Sequence, residues 1–228
     1  MQPLAIDLFC GLGGWTEGLM QEGYYVVGFD IERHVYGEHR YPAQLVIQDV
    51  VTLHGKQFKD AALIVASPPC QEFSYMAMPW TRAKERARQY LSGELNVKDL
   101  TALFDAAVRI GKQAGVPTVI ENVRGAIPWV GRSRWNYGSY HLWGDVPALM
   151  PMGMKRGQKV AGFRFDGSGN ENGTKQGGDW FRDGISLTTG SKSSKRRMAS
   201  ALIAKIPLPL SRHIARTYFP HQSKGNQS

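Results

Sequence analysis

Cys70 sits in "SPPCQEFS", just after the apolar run "AALIVA". Pro68 and Pro69 restrict the backbone before it, so the loop holds the thiol in place. A free thiol is mostly protonated at neutral pH (pKa ~8.5), so a nucleophilic cysteine needs local help. Glu121 and Asn122 end another apolar run, in "VIENV". A thiol and a carboxyl group at one sheet edge form an arrangement for covalent catalysis. Taken singly, each has a plainer reading: a structural cysteine and a salt-bridged glutamate.

A second set of residues could hold a ligand. "DLFCGLGG", Asp7 to Gly14, closes one apolar run and opens a helical one. Glycines there let the backbone approach a ligand. No Gly-Lys-Ser/Thr follows, so it is not a phosphate-cradling loop, and the full dinucleotide spacing is also missing. Asp30, in "GFDIER", can take both hydroxyls of a ribose. Asp49, in "QDV", can accept from an exocyclic amine. Three successive strand ends that are Gly-rich, acidic and acidic point to an adenosine-containing cofactor.

These residues need a sheet to bring them together. "PLAIDLF", "YYVVGFD", "QLVIQDV", "AALIVAS", "PTVIENV" and "SYHLWG" read as strands. "WTEGLMQEG" is a short helix closed by Gly23, and Val97 to Ala114 is a longer one ended by "AGVP". Strands alternating with helices predict an open, mostly parallel α/β sheet covered on both faces. Ligands in such sheets bind outside the carboxyl ends of the strands, where all the residues above would lie. Residues 1–143 are expected to form the catalytic and cofactor domain. Residues 144–198, rich in Gly, Asn, Met, Lys and Arg, form a small irregular excursion. Residues 199–220 return as a helical stretch broken at Pro207 and Pro209, and 221–228 form a disordered tail.

Composition narrows the class. The chain has 228 residues, 42% hydrophobic, and a formal net charge of +9. That surplus suits a polyanionic partner, most simply nucleic acid. Two cysteines are too few for a disulfide framework, and six histidines show no metal-ligand spacing, so no metal is expected. No segment approaches the ~20 apolar residues of a membrane span, and no leader pattern is visible at the start. A cytoplasmic monomer is the expectation.

Together, "DLFCGLGG", "PPCQEFS" and "ENV", in this order and spacing, resemble the cytosine-C5 DNA methyltransferase family. The resemblance covers Leu4 to Val123 and the C-terminal helix. It implies a Rossmann-like S-adenosylmethionine-dependent methyltransferase sheet with a small target-recognition subdomain, acting on duplex DNA. Asp7, Phe9, Gly11, Gly13 and Gly14 would form the S-adenosylmethionine site. Asp30 would hold the ribose, Ile31 would cover the adenine, and Asp49 with Val50 would contact its edge. Many members carry an aromatic residue where Ile31 stands. Cys70 would be the nucleophile and Glu121 would hold the target cytosine. Pro69, Gln71, Ser74 and Asn122 would support the pocket. In this reading the thiolate adds to C6 of the base and makes C5 reactive, while a protonated Glu121 donates to N3. The base must first leave the stack.

The chain departs from the family pattern in three places. The Gln-x-Arg-x-Arg segment is reduced to "GRSRW", from which Arg134 is carried over as a pocket arginine. The recognition region is short and Gly-rich, which predicts a short, degenerate site. The final motif lacks its Gly-Asn pair and reads "IAKIPLPL"; in one register Lys205 would replace the asparagine near the transferred group, in another Ala204 would with Lys205 beside it, and the plainer reading points the lysine to solvent or a DNA phosphate. A lysine there raises the alternative of a carboxylated donor, carboxy-S-adenosylmethionine, and 5-carboxymethylcytosine as product. An RNA cytosine methyltransferase and a non-catalytic binding module are further alternatives. Lys192, Lys195, Arg196 and Arg197 are candidate phosphate contacts. "MAMPWTRAKERARQYLSGEL" is expected to close as a lid over the extruded base, with Met78 or Trp80 filling the vacated stack.

Overall fold

The computed structural model describes residues 2–71, 73, 80–137, 140–150, 197–198, 201–202 and 204–220. Ser74, Met78, Lys192, Lys195, Arg196, nearly all of the expected recognition excursion and the 221–228 tail lie outside them.

Among the described residues, seven strands form one sheet. In chain order they are β1 (Leu4–Leu8), β2 (Tyr25–Asp30), β5 (Gln44–Ile47), β6 (Leu63–Ala66), β7 (Thr118–Val123), β8 (Trp135–Tyr137) and β9 (Tyr140–Gly144). The spatial order is β5-β2-β1-β6-β7-β9-β8. The first five pair in parallel, and β9 runs antiparallel to both β7 and β8. β8 therefore points the same way as the first five. The chain winds outward from β1 through β2 to β5, then returns to β6 on the other side. That reversal between β1 and β6 is the switch point at which such sheets open a crevice. A separate hairpin, β3 (Val35–Tyr36) and β4 (His39–Arg40), lies in the connection from β2 to β5.

Alternation along the strands separates two apolar layers. Ile6, Leu8, Ile64, Ala66 and Ile120 face one side, packed with Phe104, Ala107 and Ile110 of α3 (Val97–Ala114). Ala5, Leu63, Val65 and Val119 face the other, packed with Trp15 and Leu19 of α1 (Gly14–Gln21). Leu210 and Ile214 of the C-terminal helix, α5 (Leu208–Thr217), join this second layer. Burial on both faces explains why "LIVA" reads as a continuous apolar run. Period two carries the pattern onward: Asp7, Ser67 and Glu121 fall on the α1 face.

Three further elements lie between β6 and β8. The segment expected to be a lid is helical from its tryptophan onward, α2 (Trp80–Ser92). Its far end is anchored, with Tyr90 meeting Trp129 edge-on at 5.6 Å. Trp129 belongs to α4 (Ile127–Val130), which follows a 3-10 turn after β7. α3 starts at Asn96, whose side chain accepts from Lys98 N–H at 3.0 Å, and ends at Gly115 with φ +70°.

Pro209 does not break the last helix. Pro207 caps α5 and Pro209 sits in its first turn, where a missing N–H costs nothing. Gly18 lets α5 close onto α1, since a Cβ there would lie 2.2 Å from Ser211 Oγ. Tyr24 O–H donates to Ala215 O at 2.9 Å, and Glu22 takes both Arg212 and Arg216. The sheet reaches one residue past the expected boundary at 143, and Asp145 Oδ2 accepts from Thr118 N–H at 2.9 Å.

Candidate active site

The described residues singled out at strand ends, Arg134 apart, gather at one edge of the sheet. After β1 the chain turns sharply: Phe9 has φ +56°, Gly11 +50° and Gly13 +77°. The glycines have different reasons to be there. A Cβ on Gly11 would meet nothing within 4 Å, so this position opens toward the cavity. A Cβ on Gly14 would lie 2.4 Å from Ile206 N, so Gly14 admits the segment before α5. Gly13 differs from the sequence expectation and does not line the cavity. Its missing Cβ is filled by Pro42, 2.6 Å away, and Tyr41.

A cavity of about 560 Å³ opens beside this turn, within the ~300–1,000 Å³ typical of small-molecule sites. Asp7, Phe9, Gly11, Gly14, Asp30, Ile31, Asp49, Val50 and Lys205 all line it, and so do Pro69 and Gln71. Asp30 Oδ2 accepts from Gly11 N–H at 2.9 Å, and Oδ1 lies 3.5 Å from His34 Nε2. Burial works to raise the Asp30 pKa, but His34 and the Gly11 N–H outweigh it and hold the carboxyl below its ordinary range. Asp49 caps a 3-10 turn by accepting from Val51 N–H at 3.0 Å.

Asp7 is buried, and its Oδ2 accepts from Thr16 Oγ1 at 2.6 Å. Its Oδ1 has no partner among the described residues. Burial, opposed by Thr16 and aided by the nearby Asp30 charge, pushes this carboxyl up to about 8. An orphaned, buried acceptor on a cavity wall is suited to a cationic ligand. The open Gly11 backbone and the Asp30 carboxylate suit a ribose. Together they fit S-adenosylmethionine, which carries an ammonium, a sulfonium and a ribose. Lys205 Nζ also borders the cavity, but it is bound to Glu17 Oε1 at 2.5 Å.

The nucleophile loop leaves β6 at the neighbouring position. Asn122 Nδ2 donates to Pro68 O at 2.9 Å, which ties the Pro-Pro corner to β7. Phe73, buried, donates its N–H to Cys70 O at 3.0 Å and closes the turn behind the thiol. Cys70 is half-buried, and burial together with the Glu121 charge pushes its thiol up to about 11. Glu121 is 8% exposed, and burial raises it to about 8 against a hydrogen bond from Ser67. Trp15 Nε1 donates to Ser67 Oγ at 3.0 Å. An indole N–H can only donate, so the serine proton is free to point at the carboxyl group. Glu121 is thus kept protonated at neutral pH, and it opposes ionisation of the neighbouring thiol only once that proton is lost. Neither Cys70 nor Glu121 lines the cavity, but Ser67, Pro69 and Gln71 join the two regions.

Residues 4–126 match the C-5 cytosine-specific DNA methylase family. The chain belongs to that family. The match spans both the glycine turn and the Cys70 and Glu121 loops. Among solved structures, one similar chain is a prophage-encoded DNA modification methyltransferase from E. coli. It shows 24% identity, a TM-score of 0.37, and coverage of 55% of this chain and 33% of that one. The Dnmt2 methyltransferase of S. pombe shows 18% identity and a TM-score of 0.34, covering 57% and 37%. The EhMeth methyltransferase of Entamoeba histolytica shows 19% identity and a TM-score of 0.33, covering 57% and 41%. The chain thus spans between a third and a half of the length of these structures. Among curated proteins none matches.

One carried-over residue stands apart from the cavity. Arg134 precedes β8, the outermost strand, which β9 separates from β7. It is exposed, donates its N–H to Leu142 O at 2.8 Å, and its charge is felt by Tyr218 rather than by the site. Trp15, Ser67, His34 and Tyr36 were missed in sequence. Ser67 had a signal, since it is the residue next in period two after Leu63 and Val65. The others are brought in by folding alone. Among the described residues no helix is long and apolar enough to cross a membrane, and no cluster of three metal-ligating side chains occurs.

Proposed function

We propose that this methylase transfers a methyl group from S-adenosylmethionine to C5 of a cytosine extruded from duplex DNA. The observation that carries the reading is the pairing of Cys70 with Glu121 at the carboxyl edge, next to a cavity suited to the cofactor. S-adenosylmethionine, held by Asp7, Gly11, Asp30 and Asp49, would supply an electrophilic methyl group.

The remaining chemistry falls to the chain's own residues. Cys70, as thiolate, adds to C6 of the ring. Glu121, protonated through its burial, donates to N3 and offsets the charge that builds there. The thiol is raised to about 11, so it is weakly nucleophilic in this state, and a Glu121 that keeps its proton until addition spares the thiolate a neighbouring negative charge. Addition turns C5 into an enamine carbon. After C5 is methylated, its proton passes to water, Cys70 leaves C6 as the thiolate, and Glu121 takes back the N3 proton. Asn122, through Pro68 O, keeps the nucleophile loop in register with Glu121. Pro69 and Gln71 form the boundary between base and cofactor, and Ser74 completes the pocket. Residues 144–198 act as the recognition segment.

Lys205 borders the cavity, which is the observation that favours a carboxylated donor. Its ammonium is matched by Glu17, so the site needs no donor carboxylate for charge balance, and the methyl donor is the better-supported reading. The test is incubation of unmodified duplex DNA and of RNA with the enzyme and both donors, followed by nucleoside mass spectrometry. Appearance of 5-methylcytosine in DNA supports the proposal. 5-Carboxymethylcytosine as the main product refutes the methyl reading, and modification of RNA alone refutes the DNA reading.

A further inference from the structure

Ile31, which follows the ribose-binding Asp30, is 68% exposed and aliphatic. It offers a purine a small apolar contact and no ring. Phe9 and Trp15 border the cavity from the turn after β1 and from α1, and on the side of Asp30 and Ile31 two further rings border it, His34 and Tyr36. They are two residues apart on extended chain, so they project from the same side. Their rings stack, with centroids 6.3 Å apart and planes 28° from parallel.

The hairpin that carries Tyr36 is held at both ends. At its start, His34 Nε2 lies 3.5 Å from Asp30 Oδ1 and Nδ1 lies 3.6 Å from Glu32 Oε1. At its end, the buried Tyr41 hydroxyl and Thr16 Oγ1 are 2.7 Å apart, and Tyr41 fills the space left by Gly28. Thr16 in turn holds Asp7. The same hydrogen-bonded chain therefore positions the hairpin and the orphaned carboxyl of the cavity.

We propose that the β3–β4 hairpin supplies the base-stacking wall of the cofactor site, with Tyr36 lying against the purine and His34 backing its ring. This rests on the reading of the cavity as an S-adenosylmethionine site, and it gives that site a specific occupant for its base end. Stacking of a base on an aromatic side chain is worth about tenfold or more in affinity, which an isoleucine contact does not match. The hairpin thus takes over the role that a ring directly after Asp30 would otherwise fill.

The test is calorimetric titration with S-adenosylhomocysteine of the wild type and of Tyr36→Ala, Tyr36→Phe, Ile31→Ala and Asp30→Ala. Tyr36→Ala is expected to weaken binding about tenfold or more, and Tyr36→Phe to stay within about twofold because the ring remains. In the wild-type complex, NMR cross-peaks should connect the Tyr36 ring protons to the adenine H2 or H8, a readout independent of how any variant folds. The proposal is overturned if Tyr36→Ala binds like wild type while Asp30→Ala does not, or if Ile31→Ala alone carries the loss. Equal losses in Tyr36→Ala and Tyr36→Phe would also overturn it, since they would assign the effect to the hydroxyl. Failure of the wild type itself to bind would remove the cofactor reading as well, so the two failures are told apart by the wild-type titration.

Discussion

Glu121→Gln should make the protein more stable, and increasingly so as pH rises, while stopping its chemistry. Burial raises the Glu121 carboxyl from its ordinary 4.5 to about 8. A carboxyl whose pKa is raised by folding holds its proton in the native state at pH values where the unfolded chain has lost it. Its contribution to stability is complete below about 4.5 and is lost progressively as pH climbs toward 8. Each pH unit in that window costs the wild type about 1.4 kcal/mol. Between pH 5 and pH 7.5 the loss reaches about 3 kcal/mol, and about 2 kcal/mol after allowing for solvent reaching the slightly exposed carboxyl. Glutamine has nearly the same shape and does not titrate. Asp7, also raised to about 8, loses its contribution in both proteins and cancels in the difference. The Cys70 thiol, at about 11, does not ionise in this range. Urea unfolding of wild type and Glu121→Gln at pH 5, 6, 7 and 7.5 measures the difference directly. The gap should widen with pH by about 2 kcal/mol. A constant gap, or one that narrows, would refute the assignment of a buried, protonated carboxyl. It would also remove the proton donor from the proposed mechanism, because a glutamate that is ionised at pH 7 has nothing to give N3.

Other perturbations test separate parts of the site. Cys70→Ser should lower turnover by at least about a thousandfold, while S-adenosylhomocysteine affinity measured by calorimetry stays within about twofold, because the thiol is not part of the cavity wall. Asn122→Ala strands the buried Pro68 carbonyl and should cost about 1–3 kcal/mol in urea unfolding, with a fall in kcat larger than the change in cofactor affinity. Gly14→Ala places a carbon 2.4 Å from Ile206 N, and should cost about 1–3 kcal/mol and weaken cofactor binding by pushing Lys205 and Ile206 off the cavity. Glu17→Gln leaves the Lys205 charge unmatched. It should weaken the cationic S-adenosylmethionine several-fold more than the neutral-sulfur S-adenosylhomocysteine, and equal losses would place Lys205 too far from the sulfonium to matter.

The amino-acid pattern determined the parallel sheet, because strands buried on both faces must be apolar throughout, and "AIDL", "VVGFD", "LIVA" and "TVIEN" are the runs that meet this condition apart from their functional ends. It determined α3 to the residue, because Asn96 and Gly115 mark its ends with local chemistry that no tertiary contact has to supply. It also placed Asp30, Asp49, Cys70 and Glu121 at one edge, since residues that follow parallel strands share an end of the sheet. It did not determine the strand order, the antiparallel direction of β9 or the place of Arg134 beyond that strand, because a short strand carries no local mark of its direction or neighbours. Nor did it reveal why Gly13 and Gly14 are glycines, since the atoms they make room for belong to Pro42 and Ile206. Trp15 reaches Ser67 across 52 residues of chain, and Lys205 reaches Glu17 across 188. Period and caps are written in neighbouring residues. Such pairings arise only when the crossovers have laid α1, β6 and the segment before α5 against one another, and the tertiary structure alone decides them.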